Sequence, residues 1–129
     1  QEVAATKLYK RNGITNPRKD IDMAELYEPS TWDEMSLYEH FFFCEKDRGW
    51  TLIEKGITEM EGEFPVNPSG GVLATNAIGA CPLCRIGEAA LQIRGDAGEH
   101  QVTRDVKTAL AHGFGGTNWN VLVLLKRHM

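Results

Sequence analysis

Long apolar runs are missing from this chain. The longest is Val121 to Leu125, far short of the ~20 residues a membrane-crossing helix needs. Charge of one sign is not concentrated anywhere. Fourteen Lys and Arg stand against eighteen Asp and Glu, for a net charge of −4, which excludes the basic face of a nucleic-acid binder. Cysteine is scarce and odd in number, with three in 129 residues. That count excludes a secreted disulfide scaffold and favours a reducing, cytoplasmic setting. The first residues show no basic head followed by an apolar stretch and a small-residue cleavage site, so no secretory signal is expected at this end. The pair Cys81 and Cys84 has no second pair to complete a four-ligand zinc site, so no metal is expected. Neither a P-loop nor a dinucleotide fingerprint occurs, and no internal repeat or linker divides the chain.

What is present is globular: 42% hydrophobic and 25% charged residues, enough for one domain, residues 1–129, with its own core. Glu2 to Arg11 reads as an amphipathic helix stopped by Asn12-Gly13. The stretch "DIDMAELYE" alternates apolar and polar residues and reads as a short strand. Ser30 or Thr31 caps the next helix, with Thr31 and Glu34 at capping-box spacing, and that helix runs to about Cys44. The following segment is turn-rich with one small hairpin. Gly71 to Thr75 reads as a strand. Gly79 to Ile93 is the clearest helix, with Pro82 in its first turn and Gly95 at its end. Val106 to Ala111 and Asn120 to Leu125 read as final strands around a glycine turn, His112 to Gly116. Strands alternating with helices give an α/β fold, a mixed sheet covered by helices.

Two features point toward chemistry. Cys81 lies at a helix N-terminus, where the macrodipole favours a thiolate. The plain reading is that Cys81 and Cys84 are small buried helix residues, and it is preferred. Two glycine-rich turns, "NPSGG" and "HGFGG", let a ligand approach the backbone and let N–H groups converge on an oxyanion. His112 lies on one turn and Asn76 just beyond the other. Either turn alone reads as plain connection. Glu25 and Glu28, three apart on a strand, would face opposite ways and make no acid/base pair. Tyr38, Phe41, Phe42 and Phe43 read as core and interface, and Trp32 and Trp119 as packing.

The order "DIDMAELYE", "YEHFFFCEKDRGWTLIEKG", "FPVNPSGGVLATNAIGA", "GEAALQIRGDAGEHQV" and "ALAHGFGGTNWNVLVLLKR" resembles the C-terminal half of the thiolase superfamily. It is most similar to sterol-carrier-protein-type thiolases and their archaeal and bacterial relatives, from about residue 3 to residue 127. The resemblance implies one of two similar α/β halves, with the nucleophilic cysteine in an N-terminal half that this sequence does not contain. It implies an acyltransferase acting on 3-oxoacyl-CoA, the CoA thioester being substrate and no cofactor being needed. Retro-aldol cleavage of a 3-hydroxyacyl-CoA and a non-catalytic acyl-CoA-binding scaffold are the alternatives. It places the family's three active-site loops at Tyr27, Asn76 and His112. Substrate contacts fall at Ser69, Gly70, Phe114 and Gly115, with an oxyanion hole around Phe114. Asn76 stands where the family has a histidine, so it can donate a hydrogen bond but cannot shuttle a proton. That shifts acid/base work to His112 and Tyr27. Implied partners are the N-terminal half or subunit, further copies of the chain, and a small acyl-CoA-binding protein of OB-fold and zinc-ribbon type.

Overall fold

A computed structural model describes residues 1–115 and 119–128. Helix α1 (Glu2–Asn12) opens the chain and ends at Gly13, whose positive φ lets its N–H reach back to Tyr9. A single turn, α2 (Pro17–Asp20), leads into strand β1 (Met23–Glu25). Helix α3 (Thr31–His40) starts at Ser30, whose Oγ accepts from the Asp33 N–H at 3.1 Å. The cap is therefore Ser30, and the helix stops at His40, short of the expected Cys44, because Phe42 turns to a φ of 58°. Helix α4 (Gly49–Glu54) occupies the segment read as a hairpin.

Residues 71–75, expected as a strand, form the short helix α5 (Gly71–Ala74). The reason is tertiary. The Glu28 carboxylate accepts the N–H groups of Val72 and Leu73, caps the turn from a distance, and leaves no extended partner for the segment. Helix α6 (Cys81–Arg94) carries Pro82 in its first turn and ends at Gly95 in the left-handed conformation, as its sequence requires.

The last two strands run longer than expected, β2 (Thr108–Gly115) and β3 (Trp119–Lys126), paired antiparallel from Thr108↔Lys126 to Gly115↔Trp119. His112 to Gly115 are therefore strand residues and not a turn, and Gly116 lies outside the described residues. β1 pairs parallel with β2, giving the order β1-β2-β3, and Val66 bridges to Ala24 beyond β1. The sheet is mixed and covered on both faces. Alternation sorts its side chains. Ala24, Leu110, Leu122 and Leu124 join Tyr9, Tyr38, Phe41, Phe43 and Phe64 on one face. Met23, Ala109, Ala111, Val123 and Leu125 meet Ala89 and Ile93 of α6 on the other. Trp32, Trp119, Phe42 and Cys84 are exposed. Trp32 is the second residue of α3 and Trp119 the first of β3, and Cys84 lies on the outer side of α6. Full burial therefore holds only for their neighbours Tyr38, Phe41, Phe43 and Cys81, while Trp119 lays its exposed ring over Gly115 and Phe42 sets its ring edge-on to Tyr9.

Candidate active site

Because β1 and β2 are parallel, their carboxyl ends emerge at one edge of the sheet, where open α/β folds place ligands. Tyr27 follows β1 there and Phe114 stands one residue before the end of β2. Their rings lie 6.2 Å apart at 44°. Tyr27 and Phe114 also wall a small cavity of about 60 Å³ with Pro29, Asp33 and Leu37.

His112 lies beneath them, 1% exposed, on the aromatic face of the sheet, with the Phe41 ring 4.9 Å away edge-on. The backbone N–H of Tyr27 donates to its Nδ1 at 3.3 Å. Nδ1 therefore accepts, Nε2 carries the proton, and Nε2–H donates to Asn120 Oδ1 at 3.2 Å. Burial pushes the imidazole down to about pKa 4, with the Asn120 bond opposing. The ring is a neutral hydrogen-bond donor at neutral pH, not the unperturbed base expected from its type.

Asn76 is exposed and uses Oδ1 to accept the Ile78 N–H at 2.9 Å and the Cys81 Sγ–H at 3.3 Å. It thereby organises the entry to α6, whose Pro82 sits so close to Gly113 that a Cβ on that glycine would collide with it. Gly113 and His112 point to opposite faces of β2. The structure therefore joins Tyr27, His112 and Phe114 directly. Asn76 approaches through Cys81 and Pro82 from the α6 side.

Ser69 is committed elsewhere. Its Oγ donates to Glu25 Oε2 at 2.7 Å, its N–H to Glu25 Oε1 at 3.2 Å, and Arg85 Nη1 donates to its Oγ at 3.1 Å. Arg85 also pairs with Glu25 at 3.1 Å, both side chains almost fully buried. Gly70 is exposed, with a φ of 87°. Gly115 lies under the Trp119 ring, in a space where a Cβ would collide with it.

Glu25 and Glu28 do not face opposite ways as their spacing predicted. β1 ends at Glu25, so the strand alternation that would have separated them does not extend to Glu28. Both carboxylates reach the same segment: Glu25 holds Ser69, and Glu28 Oε1 holds Val72 at 2.7 Å and Leu73 at 3.2 Å. Burial pushes the Glu25 carboxyl up to about 7 against the pull of Ser69 and Arg85, and burial raises Glu28 too. Asn67 completes the clamp by accepting the Leu26 N–H at 2.6 Å. A carboxylate closing the apolar pair Met23-Ala24, with an arginine on the clearest helix, was the available signal for the Glu25–Arg85 pair.

The model of the thiolase C-terminal domain-like family matches residues 1–127, and the chain belongs to that family. It is 36% identical over 124 residues to human sterol carrier protein 2, covering 95% of this chain and 22% of that protein. It is 34% identical over 105 residues to the acetyl-CoA acetyltransferase of Methanothermobacter thermautotrophicus, covering 81% of this chain and 27% of that enzyme. The chain thus spans about a quarter of the curated relatives it matches. Among solved structures, the Ltp2-ChsH2(DUF35) aldolase superimposes with a TM-score of 0.79 at 26% identity, over 97% of this chain and 31% of that one.

Proposed function

We propose that this chain is the C-terminal domain of an acyl-CoA enzyme that makes or cleaves a carbon–carbon bond beside a CoA thioester. The observation that carries the reading is the meeting of Tyr27, His112 and Phe114 at the carboxyl edge of the parallel pair. The family membership and the acetyltransferase among its relatives support it. The nucleophile of an acyltransferase would come from an N-terminal half. The apolar outer side of α6, where Leu83 and Cys84 are exposed with Ile78 just before them, gives that half a surface to cover. A partner subunit fits the same reading, since the similar aldolase pairs Ltp2 with ChsH2(DUF35). The free thiols suit a reducing, cytoplasmic setting.

Acyl transfer on a 3-oxoacyl-CoA is the first reading. The state of His112 favours the second, retro-aldol cleavage of a 3-hydroxyacyl-CoA. A neutral imidazole whose Nδ1 is taken by a backbone N–H cannot collect a proton from carbon, but its Nε2–H, once released from Asn120 Oδ1, can support developing negative charge. In the retro-aldol step the 3-hydroxyl gives up its proton, and the C2–C3 bond breaks. Its electron pair passes into the thioester enolate, which is then protonated at C2, and a carbonyl product leaves. Tyr27 is the phenol at hand to relay the proton.

The test is product analysis with the full polypeptide and its subunits. Thiolysis consumes one free CoA per turnover, whereas retro-aldol cleavage consumes none and releases an aldehyde or ketone. Turnover of neither substrate class would leave the scaffold reading.

A further inference from the structure

Between α3 and α4 lies a surface cleft of about 280 Å³, lined by Trp32, Met35, Ser36, Glu39, Asp47 and Trp50. Its walls are fixed. Gly49 packs so tightly on α3 that a Cβ there would collide with the Met35 carbonyl. Its N–H donates to Glu39 Oε1 at 2.9 Å, which pins that carboxylate and lowers its pKa. Trp32 is 75% exposed and Trp50 48%. Two indoles left in water are costly, and Trp is the residue most enriched at binding hot spots.

The lining chemistry selects the occupant. Indole faces attract cations, and carboxylates beside them add a separate Coulombic pull. Glu39 and Asp47 supply two negative charges, and among the described residues no Lys or Arg lines the cleft. Lys46 and Arg48 flank Asp47 in sequence, but Arg48 lines a different depression with Lys55 and Cys44. An acyl tail here would strip water from two carboxylates without replacing it. A second copy meeting this one about a two-fold axis would set acid against acid.

We infer that this cleft is a docking site for a partner protein that inserts an arginine or lysine side chain between Trp32 and Trp50, with its cation facing Glu39 and Asp47.

The full polypeptide labelled with 5-fluorotryptophan provides the test, its resonances assigned by Trp32→Phe, Trp50→Phe and Trp119→Phe. The probe is the peptide Gly-Gly-Arg-Gly-Gly, with the norleucine analogue and tetramethylammonium as comparison arms. The Trp32 and Trp50 signals shift saturably with the arginine peptide, while Trp119 stays still. The double variant Glu39→Gln with Asp47→Asn weakens binding about fivefold or more, as expected for losing two partly exposed charges around a cation–π contact. The first substitution keeps a side-chain oxygen to accept the Gly49 N–H, and asparagine tolerates the positive φ of position 47, so the fold survives. Four results overturn the proposal: no shift, equal shifts with the norleucine peptide, tighter binding of tetramethylammonium than of the peptide, or indole signals already shielded from a soluble paramagnetic agent by the rest of the polypeptide.

Discussion

The backbone N–H of Tyr27 donates to His112 Nδ1, tying the ends of β1 and β2 together across 85 residues. This one bond fixes the histidine tautomer and leaves Nε2–H as the imidazole's only donor, aimed at Asn120. It also sets a pH dependence. The folded pKa of about 4 lies below the ordinary 6.5. The unfolded chain therefore binds a proton that the folded one refuses between those values. His112's contribution to stability is full above pH 6.5 and is lost as pH falls toward 4, by roughly 1–3 kcal/mol. Urea unfolding at pH 7 and pH 5 measures the drop, and His112→Asn flattens it. An unchanged slope in that variant would show that the ring is not buried as described.

Glu25 acts in the opposite sense. Its folded pKa of about 7 exceeds the ordinary 4.5, so its contribution is full below 4.5 and is lost as pH rises through 7. Between pH 4.5 and 6.5 the two groups offset each other, and Glu25→Gln steepens the rise in stability with pH. The pair with Arg85 is buried on both sides. Arg85→Met, which strands the carboxylate, costs about 3–5 kcal/mol, and adding Glu25→Met recovers much of that. A double variant no more stable than Arg85→Met would refute the pairing argument.

The long elements were legible because their signals are local. Gly13 and Gly95 end α1 and α6 in the left-handed conformation, Pro82 opens α6, and the apolar run Val121 to Leu125 marks β3. Helices α4 and α5 were not legible. Each is six residues or fewer and is held by a carboxylate from outside the helix, Glu39 ten residues before Gly49 and Glu28 forty-four residues before Val72. The two glycine-rich turns drew attention to Asn76 and His112, but their roles, and Tyr27 altogether, came only through the family resemblance. Nothing in the letters around His112 reports that β2 continues through it and buries the ring against Phe41.

Gly71 offers a sharp test of the clamp around residues 69–73. It sits at a φ of 62°, and a Cβ there would collide with Glu28 Oε1. Gly13 has a φ of 69° with nothing within 4 Å of its would-be Cβ. Gly13→Ala costs only the backbone strain, about 1 kcal/mol. Gly71→Ala adds displacement of a buried carboxylate from two N–H donors, for a total of roughly 3 kcal/mol or more. Chemical denaturation of the two variants side by side decides the point, and equal losses would mean that Glu28 moves aside freely.

Catalysis separates the three candidate residues. If carbon–carbon cleavage runs through an enolate, its oxygen needs fixed donors, and losing one costs roughly 10²–10³ in rate. Losing a proton-transfer group costs about 10²–10⁴. His112→Ala removes a buried donor and its support of the Tyr27 backbone, so it lowers kcat more than Asn76→Ala, whose side chain is exposed and occupied with Ile78 and Cys81. Both variants lower kcat more than they raise KM, because these contacts strengthen in the transition state. Tyr27→Phe keeps the ring on Phe114 and removes only the hydroxyl. In a retro-aldolase it lowers kcat by about 10² or more. In a thiolase it costs about tenfold or less, since the ring then only packs. The kcat of the full polypeptide, measured from pH 5 to 10 for each variant, distinguishes these outcomes. If His112→Ala turns over every accepted CoA thioester at the parent rate, the catalytic assignment fails and the domain is a scaffold.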